Sequence, residues 1–156
     1  MAQMTHGTIR SVAAALFVTA VATAQAPRPL AALAAATRVV ATGDGSELAW
    51  PELLDRLARL DVVFLGETHV DDTTHRVELH VLEGLLARRP GKVVLSMEMF
   101  ERDVQPALDD YLAGRIDEPA FLAKARPWNN YDTAYRPLVE AAKAAVDWYA
   151  QRGYPQ

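Results

Sequence analysis

The chain has 156 residues, 51% hydrophobic and 23% charged, with a formal net charge of −4. That length fits one domain, and a mildly acidic chain without a basic block is not built for nucleic acid, which needs clustered Lys/Arg. The absence of cysteine excludes disulfides, thiolate metal sites, a Cys nucleophile and a Cys-linked lipid anchor.

Residues 1–10 are polar with one side-chain cation, Arg10, and residues 11–24 run apolar through Val12, Leu16, Phe17, Val18 and Val21 among alanines. Fourteen residues match the h-region of a signal peptide and fall short of the roughly 20 that a membrane-spanning helix needs. Ala22 and Ala24 form an A-x-A cleavage site before Gln25. Residues 1–24 are therefore expected to be a cleavable signal peptide, and the product a periplasmic or secreted protein that is not a lipoprotein. Residues 25–37, rich in Ala and Pro, are read as a linker, and 38–156 as the folded part.

The elements of that part follow in order. Val39-Val40-Ala41-Thr42 before Gly43-Asp44-Gly45 predicts a short strand entering a hairpin, since Asp-Gly favours turns with positive φ. Pro51 suits a first helical turn, and Leu53, Leu54, Leu57 and Leu60 recur at helical spacing. The continuous apolar run at 61–66 predicts a buried parallel strand. A helix capped by Asp72 or Thr73 follows, with Leu79, Leu82 and Leu86 on one face and Arg88-Arg89-Pro90-Gly91 as its stop. Residues 93–98 predict a second buried strand, completing a right-handed βαβ unit. The remainder reads as helices: 104–113 closing at Gly114, 117–125 opening on Asp117-Glu118-Pro119, and a last helix from Pro137 to Gly153. The expected fold class is α/β, a parallel βαβ core with following helices. Two strands do not make a stable sheet, so the sheet is expected to be incomplete.

In an open α/β sheet, ligands gather outside the carboxyl ends of the strands. Glu67 and His69 follow the first predicted strand and Glu98 ends the second, so the three can converge on one spot as a hard-metal or acid/base site. The competing reading makes Glu67 a helix cap or an Arg partner and His69 a satisfied loop histidine. His75 and His80 are five apart, which puts them roughly 140° apart on an α-helix. One helix cannot give both to one metal; His75 is placed to reach the strand ends, and His80 is read as packed or solvated. The stretch 128–137 mixes Trp128, Tyr131 and Tyr135 with amides and Arg136, an amphipathic surface able to stack on a planar ligand. A phenolate can serve as an axial haem ligand, although a plain helix junction with aromatic packing explains the same residues.

Taken together, these residues resemble the ChaN-type haem-binding uptake proteins of the Tiki/TraB/erythromycin-esterase superfamily. The likeness runs through Asp61-Val62-Val63-Phe64-Leu65-Gly66-Glu67-Thr68-His69, which fits that superfamily's G-x-x-H element. It continues through Val94-Leu95-Ser96-Met97-Glu98-Met99-Phe100, Leu108-Asp109-Asp110-Tyr111-Leu112-Ala113-Gly114, and Trp128, Tyr131, Tyr135 and Pro137. The resemblance implies an exported bacterial α/β protein of iron or haem uptake that binds haem in a dimeric pocket and works with outer-membrane haem-uptake machinery. Glu67, His69 and Glu98 match the superfamily's first-half site, and Tyr131 and Tyr135 are the candidates for a haem-contacting phenol. The family domain is longer, so 38–156 is expected to be its N-terminal part.

Two functions follow from this reading. The first is a haem-binding protein, not an enzyme, using His69, Tyr131, Tyr135, Glu67 and Glu98 around an apolar pocket near the strand ends. The alternative is an esterase- or peptidase-like hydrolase dependent on a divalent metal, in which Glu67, His69 and Glu98 do the chemistry and His69, Glu98 and His75 are the metal candidates. A fragment with no function of its own is the third possibility.

Overall fold

A computed structural model describes residues 30–152, so the signal peptide read at 1–24 lies outside the described residues. Part of the expected linker is a helix, α1 (Leu30–Ala36). It is tied down: Leu33 is buried, and the Trp50 indole N–H donates to the Ala34 carbonyl at 2.9 Å.

The Asp-Gly turn folds as its sequence dictates. Strands β1 (Val39–Val40) and β2 (Glu47–Leu48) pair antiparallel, Val39 opposite Leu48 and Val40 opposite Glu47. Between them Gly45 takes φ +73°, and the Asp44 carboxylate accepts from the Ser46 N–H at 2.9 Å. Helix α2 (Trp50–Leu57) carries Pro51 in its first turn, where the missing N–H costs nothing. Its Leu53, Leu54 and Leu57 pack with Val39 and with Val81 of helix α3 (Asp72–Arg88). The cap of α3 is Asp71, one residue before the sequence reading placed it, with its side chain accepting from the Thr73 N–H at 2.9 Å.

Past α3, a single 3₁₀ turn (Arg102–Val104) leads into α4 (Gln105–Leu112), followed by α5 (Glu118–Ala125) and α6 (Arg136–Ala150). Gly114 takes φ +68° and lets the Arg115 N–H reach back to the Asp110 carbonyl at 2.8 Å. Asp117 caps α5 through the Ala120 N–H at 3.0 Å. These helices close a second core around Phe121, which is fully buried, stacked on Tyr111 at 4.9 Å and edge-on to Phe100 at 5.4 Å. Helix α3 serves both cores from adjacent positions, Val81 in the first and Leu82 in the second.

The expectation of two buried parallel strands needs correction. Residues 61–66 and 93–98 have no backbone hydrogen bond to each other, and the only sheet among the described residues is the β1–β2 pair. Paired strands stand about 4.8 Å apart. Here the two segments, joined through α3, both line a cleft of about 890 Å³, lined also by Val81, Leu82, Leu85 and Leu138. The apolar runs are not buried on both faces either: Phe64 is 87% and Val94 92% exposed. In the second segment Val93, Leu95 and Met97 turn inward alternately with exposed neighbours, the period of a strand without its partner. At class level the fold is mixed α and β, predominantly helical. No helix among the described residues is long and apolar enough to cross a membrane.

Candidate functional site

The polar end of the cleft is built where the first segment turns into α3. The Asp71 N–H bonds the Thr68 carbonyl at 2.9 Å, and Asp71 then caps the helix. This tight turn sets Glu67 and His69 opposite the first turn of α3, which carries His75, with Glu78 one turn further along the same face. Across the cleft, Glu98 extends from the second segment just before Met99, which is buried in the second core.

The third side comes from a π-helical turn, Tyr131–Tyr135, ahead of α6. Such turns are rare and concentrate at functional sites. It sets Tyr135 against His75, ring centroids 4.6 Å apart, and Trp128 against both His69 at 5.0 Å and Tyr135 at 5.5 Å.

These residues form one polar network. His69 Nε2 lies 3.5 Å from Glu67 Oε1 and 3.7 Å from Glu98 Oε2. The other Glu67 oxygen is 3.1 Å from His75 Nδ1, and Glu78 Oε2 is 3.2 Å from the same nitrogen. The Tyr135 hydroxyl donates to Glu67 Oε1 at 3.0 Å. His75 Nε2 lies 3.1 Å from the His69 main-chain carbonyl, which also accepts from the Asn130 side-chain N–H at 2.7 Å. His75 is 3% and Glu78 8% exposed, while the His69 side chain stands half in solvent. Burial, the largest influence on Glu78, raises its carboxyl above the usual range. Burial also raises the Tyr135 phenol, and the Glu67 carboxylate beside it adds to the effect.

The structure brings Glu67, His69 and Glu98 together without the paired strands from which their convergence is expected, and it sets His75, the further candidate, directly against Glu67. Tyr131 goes elsewhere. It is buried between Phe100 and α5, its hydroxyl 3.4 Å from Glu118, and it does not line the cleft. His80 packs its ring edge-on to Trp50 at 4.7 Å. Glu78 was not among the residues singled out from sequence, although H-x-x-E at 75 and 78 is the i,i+3 spacing that puts two side chains on one helix face. Asn130 carried no signal, because only the tertiary fold shows which carbonyl it serves.

Comparison with known proteins gives one positive result. The family described as haem-binding uptake, Tiki superfamily, ChaN matches residues 53–150. No curated protein and no solved structure matches.

Proposed function

The chain belongs to the ChaN haem-binding uptake family of the Tiki superfamily, and from that premise we propose that it is an exported haem-binding protein of bacterial iron or haem uptake. The observation that carries the reading is the cleft. Its volume of about 890 Å³ is at the upper end of small-molecule sites. Its walls are apolar at Val63, Leu65, Val81, Leu82, Leu85 and Leu138, and an imidazole and a phenol stand at one end, His69 and Tyr135. A flat apolar macrocycle with one iron needs a slot of that character and one axial ligand.

Of the candidates, His69 is the axial ligand in this reading. Its ring reaches the cleft and is half exposed. Tyr135 lines the cleft too, but its raised phenol pKa opposes the phenolate that iron ligation needs. It shapes the slot and steadies Glu67. Tyr131 belongs to the core. The protein acts as a binding protein, released after Ala24 into the periplasm or medium, with a homodimer and outer-membrane uptake machinery as its partners.

The test is a hemin titration followed at the Soret band. The expected result is a saturable, shifted band that is lost in His69→Ala and kept in Tyr131→Phe. A featureless linear response from folded protein would refute haem binding. Mass analysis of periplasmic material starting at Gln25 tests export. The second reading, metal-dependent hydrolysis, draws support from the convergence of His69 on Glu67 and Glu98 at 3.5 and 3.7 Å. It requires ester or peptide turnover that depends on added divalent metal.

A further inference from the structure

The geometry points to a site for a divalent first-row transition metal ion formed by Glu67, His75 and Glu78, at the polar end of the cleft and independent of the His69 imidazole that the haem reading takes as axial ligand. Each contributes one ligand atom, and the three atoms lie within 4.8 Å of one another.

The argument begins with a tautomer. His75 Nε2 faces the His69 carbonyl at 3.1 Å. A carbonyl oxygen only accepts, so Nε2 carries the hydrogen. Neutral His75 therefore presents the lone pair of Nδ1, and that lone pair faces two carboxylate oxygens, Glu67 Oε2 at 3.1 Å and Glu78 Oε2 at 3.2 Å. Three acceptors aimed at one point in a buried site need a proton or a cation between them. A proton on Nδ1 gives an imidazolium shared by two carboxylates and leaves one negative charge over. A divalent cation neutralises both carboxylates, which is the cheaper state for charge held away from water.

The spacing fits a metal. With bonds of about 2.0–2.2 Å to nitrogen and oxygen, neighbouring ligand atoms stand about 3.0 Å apart in an octahedral site and about 3.4 Å apart in a tetrahedral one. The two nitrogen–oxygen edges, 3.1 and 3.2 Å, fall between those values, and the three ligand atoms together lie within 4.8 Å. One imidazole with two carboxylates selects Mn²⁺, Fe²⁺, Co²⁺ or Zn²⁺ over Mg²⁺ and Ca²⁺, which favour all-oxygen sets.

The surroundings are those of ligands already held in place. Metal-bound histidines characteristically donate their second N–H to a carbonyl or carboxylate. Here the His69 carbonyl takes that hydrogen and is itself fixed by the Asn130 amide at 2.7 Å. Tyr135 donates to Glu67 Oε1, the oxygen turned away from His75. Glu67 and Glu78 line the cleft, which gives an ion its way in and leaves a coordination position open to a small molecule.

The experiment uses chelator-treated protein without haem, so its failure is separate from failure of the haem reading. Co²⁺ is titrated and its visible ligand-field absorption followed, with Zn²⁺ as competitor. The expected result is one saturable site whose affinity falls more than 100-fold in Glu78→Gln and His75→Gln. Tyr135→Phe, which removes only a supporting hydrogen bond, weakens it about tenfold. Glu98→Gln leaves it unchanged. Should the ligand variants fail to fold, Mn²⁺ added to wild-type protein must broaden the His75 imidazole resonances at substoichiometric levels. No saturable binding, or binding indifferent to Glu78 and His75, overturns the site and leaves the shared imidazolium.

Discussion

Phe121 offers the sharpest test of the core that supports the site. Its side chain is fully buried, stacked on Tyr111 with ring planes 4° apart and edge-on to Phe100. Phe100 follows directly on Glu98-Met99, so this cluster anchors one wall of the cleft. Truncation to alanine removes roughly 150 Å² of buried apolar surface, about 4 kcal/mol at 25 cal/mol per Å². Lost ring contacts add about 0.5–1.5 kcal/mol, and the total agrees with the roughly 3–5 kcal/mol typical of such substitutions. Phe121→Ala should therefore lose about 4–5 kcal/mol, a large share of a total stability of about 5–15 kcal/mol. The assay is urea denaturation, read as a shift of midpoint at constant m-value. Phe121→Leu, which keeps most of the volume, should lose less than half as much. A loss below about 1 kcal/mol in the alanine variant at unchanged m would show that Phe121 does not sit in a closed core.

Three smaller perturbations follow from local chemistry. Asp117→Ala removes the side-chain acceptor for the Ala120 N–H and should cost about 1 kcal/mol, read from thermal melts. Gly114→Ala meets no atom within 4 Å, so its cost is the left-handed backbone at φ +68° alone, about 1–2 kcal/mol, and Gly114→Asn should cost less. The Arg136 guanidinium grips Glu118 at 2.6 and 2.7 Å and lowers its carboxyl below the usual range. The native state then binds fewer protons than the unfolded chain in the acid range. The pair's contribution is present above about pH 4.5, the ordinary glutamate value, and lost as pH falls through the native pKa below it. Arg136 is half exposed, so Glu118→Gln should cost no more than about 1 kcal/mol at neutral pH and flatten the acid limb of a stability–pH curve.

What was legible in the sequence was what short-range chemistry decides. The hairpin at Asp44-Gly45, the leucine face of α2, the acidic start of α5 at Asp117-Glu118 and the stop at Gly114 depend on residues within a few positions of one another. That 61–66 and 93–98 stay unpaired was not legible, because apolar β-branched runs state that a segment can be a strand without stating where its partner lies. Glu67, His69 and Glu98 could be brought together from sequence since each follows an apolar run that ends at the same side of the molecule. The two tyrosines show the limit. Spacing by four puts Tyr131 and Tyr135 on one side of a helix, but it does not say that α5 meets the first and His75 the second. Glu78 was within reach of helix periodicity; the π-helical turn that positions Tyr135 was not.

His69 joins the two readings of this site and also separates them. Its imidazole faces the cleft, where the haem reading needs it, whereas its main-chain carbonyl holds the His75 ring in the tautomer that the metal reading needs. Substitution removes the first and keeps the second. His69→Ala should therefore abolish the shifted Soret band and leave Co²⁺ binding within a few-fold of wild type. Glu78→Gln should do the reverse, losing Co²⁺ and keeping the Soret response, because Glu78 meets the network only through His75 and Glu67. The Asn130 amide makes this separation physical: it fixes the carbonyl from the other side at 2.7 Å, so the 66–69 turn keeps an anchor when the imidazole is gone. If His69→Ala loses both signals while retaining its thermal stability, the imidazole itself holds the Glu67 carboxylate in place. The two sites would then be a single unit instead of neighbours sharing one turn.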